Sequence, residues 1–192
     1  MSLTDSNMLA LGTTAPTFHL PFPMEDNNVL DFPECVQKVP VVVMFICNHC
    51  PYVIHVIEEI VQIAHEFQKK GVAFIGINSN DIESYPADSP EKMIEFTAHY
   101  QLPFPYLFDE TQEVAKAYQA ACTPDIYVFD SDHKLVYRGR LDSSRPGNDI
   151  PVDGKDLRLA LNQLLERKQI SEIQYPSAGC NIKWKKNLRF SV

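Results

Sequence analysis

Two apolar, β-branched runs bracketing an amphipathic stretch constrain this chain more than any other feature. Residues 40–46 read Pro-Val-Val-Val-Met-Phe-Ile, and residues 72–77 read Val-Ala-Phe-Ile-Gly-Ile. Continuous rather than alternating hydrophobicity is what a strand buried on both faces requires. Between the runs, Val53, Ile57, Ile60, Val61, Ala64 and Phe67 recur at helical spacing. Lys69-Lys70-Gly71 then supplies cations for a last helical turn and a glycine at the stop. Residues 41–77 are therefore expected to form a βαβ unit with a right-handed crossover.

The junction between the first run and the helix carries the chemistry. It reads Cys47-Asn48-His49-Cys50-Pro51. Two thiols at this spacing can close a disulfide or share a metal. A helix N-terminus, with its unpaired N–H groups and positive dipole end, favours a thiolate over a thiol. The thiolate is the reactive form, so position and chemistry point the same way.

The remaining pattern alternates. Thr17-Phe18-His19-Leu20, a turn around Asn27-Asn28 and Val29-Leu30 predict a β-hairpin. Residues 78–90 are a polar loop ending in Ser89-Pro90, an N-cap and a first-turn proline for a helix to about Tyr100. A short strand is expected over 106–108 and a helix over 110–120. Strands over 126–129 and 135–141 are joined by the loop Ser131-Asp132-His133-Lys134. Asp153 is the expected cap of a closing helix whose apolar positions are Leu157, Ala160, Leu161, Leu164 and Leu165. The reading is one domain over 1–168 and a C-terminal tail over 169–192, with no internal repeats.

Composition narrows the function classes. A chain of 192 residues suits one domain that buries roughly 70% of its unfolded surface. A net charge of −8 argues against nucleic-acid or anionic-membrane partners. No apolar run is long enough to span a bilayer, and residues 1–11 lack the pattern of a signal peptide. Five cysteines, Cys35, Cys47, Cys50, Cys122 and Cys180, are too few and too odd for a secreted disulfide scaffold. The expectation is a cytoplasmic protein whose cysteine pair is first redox-active and second metal-binding. There is no Gly-rich phosphate loop and no Gly-x-Ser-x-Gly.

On these motifs the chain resembles the thioredoxin-like redoxins, the group that includes peroxiredoxins and thioredoxin-like reductases. The resemblance spans about residues 10–168 and rests on Phe45, Cys50-Pro51, Thr123-Pro124 and the hairpin with Arg138-Gly139. The Cys-Asn-His-Cys-Pro motif combined with Gly179-Cys180-Asn181-Ile182-Lys183-Trp184 is most similar to a bacterial AhpC/TSA or redoxin branch. The resemblance implies an α/β thioredoxin-like fold, with an N-terminal β-hairpin extension and an inserted α-β-α segment.

It also sets the register. At the spacing that thioredoxins use between the strand phenylalanine and the nucleophile, Phe45 points to Cys50 rather than Cys47. The second thioredoxin cysteine would fall at Val53 and is absent. Cys50 is then the attacking thiolate and Cys47 the resolving thiol. Pro124, after Thr123, is expected to follow a cis bond and to lie against the thiols. His49 could stabilise the Cys50 thiolate when protonated. Cys180 is a possible third thiol brought by a flexible stretch, Ser177-Ala178-Gly179-Cys180; the other reading has the tail docking through Ile182 and Trp184, with the thiol incidental. Cys122 is a small buried residue or a further redox participant, and Cys35 is structural.

Three functions follow. The first is a thiol–disulfide oxidoreductase acting on protein or small-molecule disulfides without a cofactor. The second is an antioxidant thiol peroxidase acting on peroxides. Peroxiredoxins place a proline and a threonine ahead of the peroxidatic cysteine. Counted back from Cys50 those positions are Val43 and Cys47, and from Cys47 they are Pro40 and Met44, so only Pro40 matches. Arg138 or Arg140 could supply a peroxidase-type arginine. The third is metal binding through Cys47, Cys50 and one of His49, His55 or Cys180. His49-Cys50-Pro51 is similar to the Sco-type copper chaperones, but Ile54 stands where those proteins need their second cysteine.

Overall fold

The computed structural model describes residues 3–24 and 28–186. Its centre is a five-stranded sheet with strand order β6-β5-β4-β8-β9. The strands are β4 (Val41–Phe45), β5 (Ala73–Asn78), β6 (Tyr106–Phe108), β8 (Asp125–Phe129) and β9 (Leu135–Gly139). β4 pairs in parallel with β5 and antiparallel with β8. The first of these pairings, joined through helix α1 (Pro51–Gln68), is the βαβ unit read from the sequence.

Every residue of β4 is buried, and the strand's two-residue period explains why. Val42, Met44 and Ile46 pack into one core, while Val41, Val43 and Phe45 pack into another on the opposite face. The first core is capped by α1, α2 (Pro90–Tyr100) and α4 (Lys155–Leu165). The second is covered by the hairpin of β2 (Phe18–Pro21) and β3 (Val29–Phe32) together with α3 (Glu113–Ala117). α1 contributes Val53, Val56, Ile57, Ile60, Ile63, Ala64 and Phe67, and the valine, isoleucine and phenylalanine side chains among them each stabilise by about 1.5–3 kcal/mol when fully buried. Arg158 of α4 ties the two helices together, reaching Glu59 at 2.6 Å and also pairing with Glu66.

Several boundaries differ from the sequence reading. Ser89 does cap α2, accepting from Lys92 N at 3.4 Å. α4 instead has Gly154 as its N-cap, at φ +60° and ψ 20°, not Asp153. A Cβ at Gly154 would meet Ile63 Cδ1 at 2.5 Å, so both the left-handed backbone and the close approach of α1 require glycine. Asp153 still contributes, since its carboxylate accepts from Lys155 N at 3.1 Å. α3 covers only 113–117 of the expected 110–120. β2 and β3 pair as expected, whereas Asn27 of the predicted turn lies outside the described residues.

A second, smaller sheet was not anticipated. β10 (Ala178–Asn181) lies between β1 (Leu3–Asp5) and β7 (Cys122–Thr123), antiparallel to both. The stretch read as flexible is thus a central strand. Beyond it Ile182 is buried while Trp184 is 41% exposed, so Trp184 does not anchor the tail. The anchors are polar. Lys183 N donates to Asn80 Oδ1 at 2.8 Å, and Lys183 O accepts from Asp81 N and Gln112 Nε2, each at 2.8 Å.

Candidate active site

Cys47 follows the end of β4, and Cys50 is the N-cap of α1 with Pro51 in the first turn. Cys50 O accepts from Val53 N and Ile54 N at 3.0 Å, which fixes its sulfur at the helix's positive end. The Thr123–Pro124 bond is cis and places Thr123 against both sulfurs. Thr123 Oγ1 lies 3.4 Å from Cys47 Sγ, and Thr123 O lies 3.2 Å from Cys50 Sγ. Cys180 stands across the β7–β10 ladder from Thr123, near enough to Cys50 that each shifts the other's pKa. The structure therefore brings together Cys47, Cys50, Thr123, Pro124 and Cys180.

The thiols are not equivalent. The Cys47 thiol beside Cys50 holds the Cys50 thiol well below the ordinary thiol range, against an opposing desolvation by burial. Hydrogen bonds from Cys180 and Thr123 act in the same direction. The Thr123 carbonyl works against them, because it can only accept and so favours a protonated Cys50. The balance still lowers the Cys50 pKa. Cys47 is displaced the opposite way, first because it is the proton donor to Cys50 and then by burial. Burial and the Cys50 charge likewise push Cys180 up.

The Cys47–Cys50 loop is pinned from below by Asp88, a fully buried carboxylate that sequence reasoning passed over. Its Oδ1 accepts from Asn48 N at 2.8 Å and its Oδ2 from Asn80 Nδ2 at 2.7 Å. Asn48 also donates to Ala87 O at 3.0 Å and accepts from Tyr106 Oη at 3.0 Å. Asn80 is a hinge point of the network, since the same side chain that donates to Asp88 accepts from Lys183 N of the tail. In sequence, Asp88 is one acid in a polar loop before a helix cap, and nothing local marks it.

His49 Nδ1 lies 2.8 Å from Asp88 Oδ2, close enough for an ion pair but not aligned as a hydrogen bond. Its ring stacks on Tyr85 at 5.8 Å and 5°. The Asp88 carboxylate raises the His49 pKa, and the Cys50 contribution is the last and smallest cause. The partner of His49 is thus Asp88 more than the thiolate. Among the described residues, donor atoms of Cys47, His49 and Asp88 come within 4.8 Å of one another, a set that shares Cys47 and His49 but not Cys50 with the metal reading. His55 is elsewhere, bonded to Ser144 Oγ at 2.7 Å. With Pro124, Asp142, Arg145 and Pro146 it lines a cleft, so the 142–147 loop borders the far side of the cis-proline.

The other candidates fall outside the thiol group. Cys122 is buried and points its thiol at Pro124 O, 3.6 Å away, and Ser177 O, 3.9 Å away; burial raises its pKa. Cys35 is exposed, and partial burial pushes it up to about 11. Arg138 donates to Gln174 Oε1 at 2.8 Å, and Arg140 pairs with Asp156 at 2.6 Å.

A family model described as AhpC/TSA family matches residues 11–138. The chain belongs to the AhpC/TSA family. Its similarity to solved structures runs through the whole AhpC/TSA domain and beyond it. An uncharacterized conserved protein from Geobacillus kaustophilus is 55% identical, with a TM-score of 0.93 and coverage of 97% of this chain and 98% of that one. A hypothetical protein from Sinorhizobium meliloti 1021 is 41% identical, with a TM-score of 0.92 and coverage of 95% and 99%. A secreted disulfide oxidoreductase of Mycobacterium tuberculosis shares the fold at 18% identity, with a TM-score of 0.60 and coverage of 77% and 96%. No curated protein matches the chain. The fold is thioredoxin-like, as the resemblance implied.

Proposed function

We propose that this AhpC/TSA protein is a thiol–disulfide oxidoreductase in which Cys50 attacks and Cys47 resolves. The observation that carries the reading is the seating of both sulfurs, beside the N-terminus of α1, on one residue, with Thr123 Oγ1 3.4 Å from Cys47 Sγ and Thr123 O 3.2 Å from Cys50 Sγ; the opposite displacement of the two thiol pKa values, Cys50 down and Cys47 up, supports it. Cys50 sulfur attacks a substrate disulfide, forming Cys50–S–S–R and releasing one substrate thiolate. Cys47 then bonds to the Cys50 sulfur and breaks the bond to R, and its proton goes to the departing thiolate. The protein dithiol is oxidised and the substrate disulfide is reduced, with no metal or organic cofactor required. Pro124 and Thr123 shape the wall against which both sulfurs sit.

The peroxidase reading has family membership behind it. Against it stand Met44, which offers no hydroxyl at the position a peroxidatic Cys47 would need, and the engagement of Arg138 and Arg140 with other partners. No helix among the described residues is long and apolar enough to cross a membrane, and the sparse, odd cysteine set favours a reducing cytoplasm.

The test is a direct comparison of turnover on an insulin-type disulfide and on hydrogen peroxide. Disulfide turnover that vanishes in Cys50→Ser and slows in Cys47→Ser is expected. Fast peroxide consumption that survives Cys47→Ser, without disulfide turnover, would overturn the reading in favour of a peroxidase.

A further inference from the structure

Three observations meet at one strand. Cys50 and Cys47 are 0% and 1% exposed, so no substrate disulfide reaches them while the present packing holds. One wall of their enclosure is β10, whose Cys180 pairs with Thr123 across the ladder. The residue that Cys180 faces, Thr123, has its carbonyl oxygen 3.2 Å from Cys50 Sγ, and the Cys50 charge is among the causes that raise the Cys180 pKa. The fit is close. A Cβ at Gly179 would stand 2.0 Å from Thr123 O and 2.8 Å from Thr123 C, so only glycine lets the strand approach near enough to deliver the neighbouring cysteine. Polar anchoring continues past the strand through Lys183 to Asn80, and from Asn80 to the Asp88 that fixes the Cys47 loop.

We infer that β10 is both the gate of the site and the carrier of a second resolving thiol, Cys180, so that closing the gate expels the substrate. The inference rests on the oxidoreductase reading of Cys50. The strand lifts to admit a disulfide, and Cys50 forms the mixed disulfide Cys50–S–S–R. When β10 returns to its place beside Thr123, the Cys180 sulfur arrives at the Cys50 sulfur. The Cys50–Cys180 bond forms, the bond to R breaks, and the Cys180 proton leaves on the R thiol. Cys50 and Cys180 are oxidised, R is reduced, and the balance needs no further reagent. The new disulfide staples β10 over the site. Cys47 remains an alternative partner for the same Cys50 sulfur, so the bond can also pass between Cys47–Cys50 and Cys50–Cys180 by exchange among the three thiols.

The experiment uses full-length protein reacted with glutathione disulfide, quenched in acid, alkylated and mapped by peptide mass spectrometry. In Cys47→Ser, the glutathione adduct on Cys50 is expected to be transient and to give way to a Cys50–Cys180 disulfide. In Cys47→Ser/Cys180→Ser the adduct is expected to persist at about one per chain. A persistent adduct in Cys47→Ser, with Cys180 fully alkylated, would overturn the inference. Gly179→Ala keeps all thiols and disturbs only the seating of β10. It is expected to lower the Cys50–Cys180 share in an otherwise wild-type chain several-fold, and an unchanged share would overturn delivery by the strand. Cys50→Ser separates this idea from the one beneath it. If that variant still turns over disulfides, the assignment of Cys50 as attacking thiol fails, whatever Cys180 does.

Discussion

Cys180 lies directly opposite Thr123 in an antiparallel ladder, although the two are far apart in the chain. That pairing seats a C-terminal thiol beside a cysteine at the start of the first long helix. Thr123, which lies against the sulfurs of both Cys47 and Cys50, is thus in contact with the chain's own tail.

The first prediction concerns pH. Cys50 has a folded pKa below its unfolded value, chiefly because Cys47 donates to it. Between those two values the unfolded chain binds the extra proton, so stability rises with pH up to about the unfolded thiol range near 8.5. It is lost as pH falls through the folded value. Urea denaturation of reduced protein should therefore show a steeper gain from acid to neutral pH than the same measurement on Cys50→Ser. Parallel curves would contradict the thiolate assignment.

Thiol reactivity gives a second prediction in which charge and access compete. Near neutrality Cys50 is ionised but enclosed, while exposed Cys35, pushed up to about 11, is mostly protonated. Alkylation of Cys50 in the native protein should be limited by opening of β10, and so be nearly independent of pH from 6 to 8 (roughly the range where a free thiol gains reactivity as it approaches its pKa). Labelling of Cys35 should rise about tenfold per pH unit over that window. A mass-spectrometric time course at several pH values separates the two behaviours.

Gly179→Ala should loosen the lid. The added methyl cannot share space with the Thr123 carbonyl, and overpacking of this kind costs about 1–3 kcal/mol. The expected outcome is lower stability with faster alkylation of Cys50 than in the parent protein. Loss of stability without faster labelling would mean that β10 does not control access.

Asp88→Asn should release the Cys47 loop. The substituted amide turns one acceptor oxygen into an NH2 donor, leaving either the part-buried Asn48 N or the buried Asn80 Nδ2 facing it without an acceptor, at a cost of about 1–3 kcal/mol. The Asp88 carboxylate also raises the pKa of His49. The stabilisation from that pair is present below the unfolded histidine pKa and is lost as pH rises through the folded one. An NMR titration should find the His49 midpoint lower in Asp88→Asn, and an unmoved midpoint would exclude Asp88 as its cause.

A core substitution provides the contrast. Ile60 is fully buried between α1 and the sheet, and Ile60→Ala should cost about 2–5 kcal/mol. Disulfide turnover per folded molecule should stay within about twofold of the parent, because the thiol geometry is set at the other end of the helix. The check pairs urea denaturation with the turnover assay.

The sequence by itself determined the elements whose signal is local. The β-branched runs give β4 and β5 because a strand buried on both faces has no polar face to alternate with. The spacing of Val53, Ile57, Ile60 and Phe67 gives α1, and Ser89-Pro90 starts α2, because caps and periodicity act over a few residues. The same local logic put Cys50 at the α1 N-terminus, whereas its register with Phe45 came from the family resemblance. Asp153 was misread as the α4 cap because the choice of Gly154 depends on how closely Ile63 of another helix approaches, which no local pattern records. Tertiary structure alone decided that most of the stretch read as flexible belongs to the strand Ala178–Asn181, since a four-residue segment becomes a strand only when other strands offer it partners. It also decided that Asp88 and Asn80 support the thiol loop, because a buried carboxylate is recognised by the donors that fold around it. The pair of cysteines was visible as a motif; that both are enclosed, and that Cys180 faces the threonine they pack against, follows from packing that brings distant parts of the chain together.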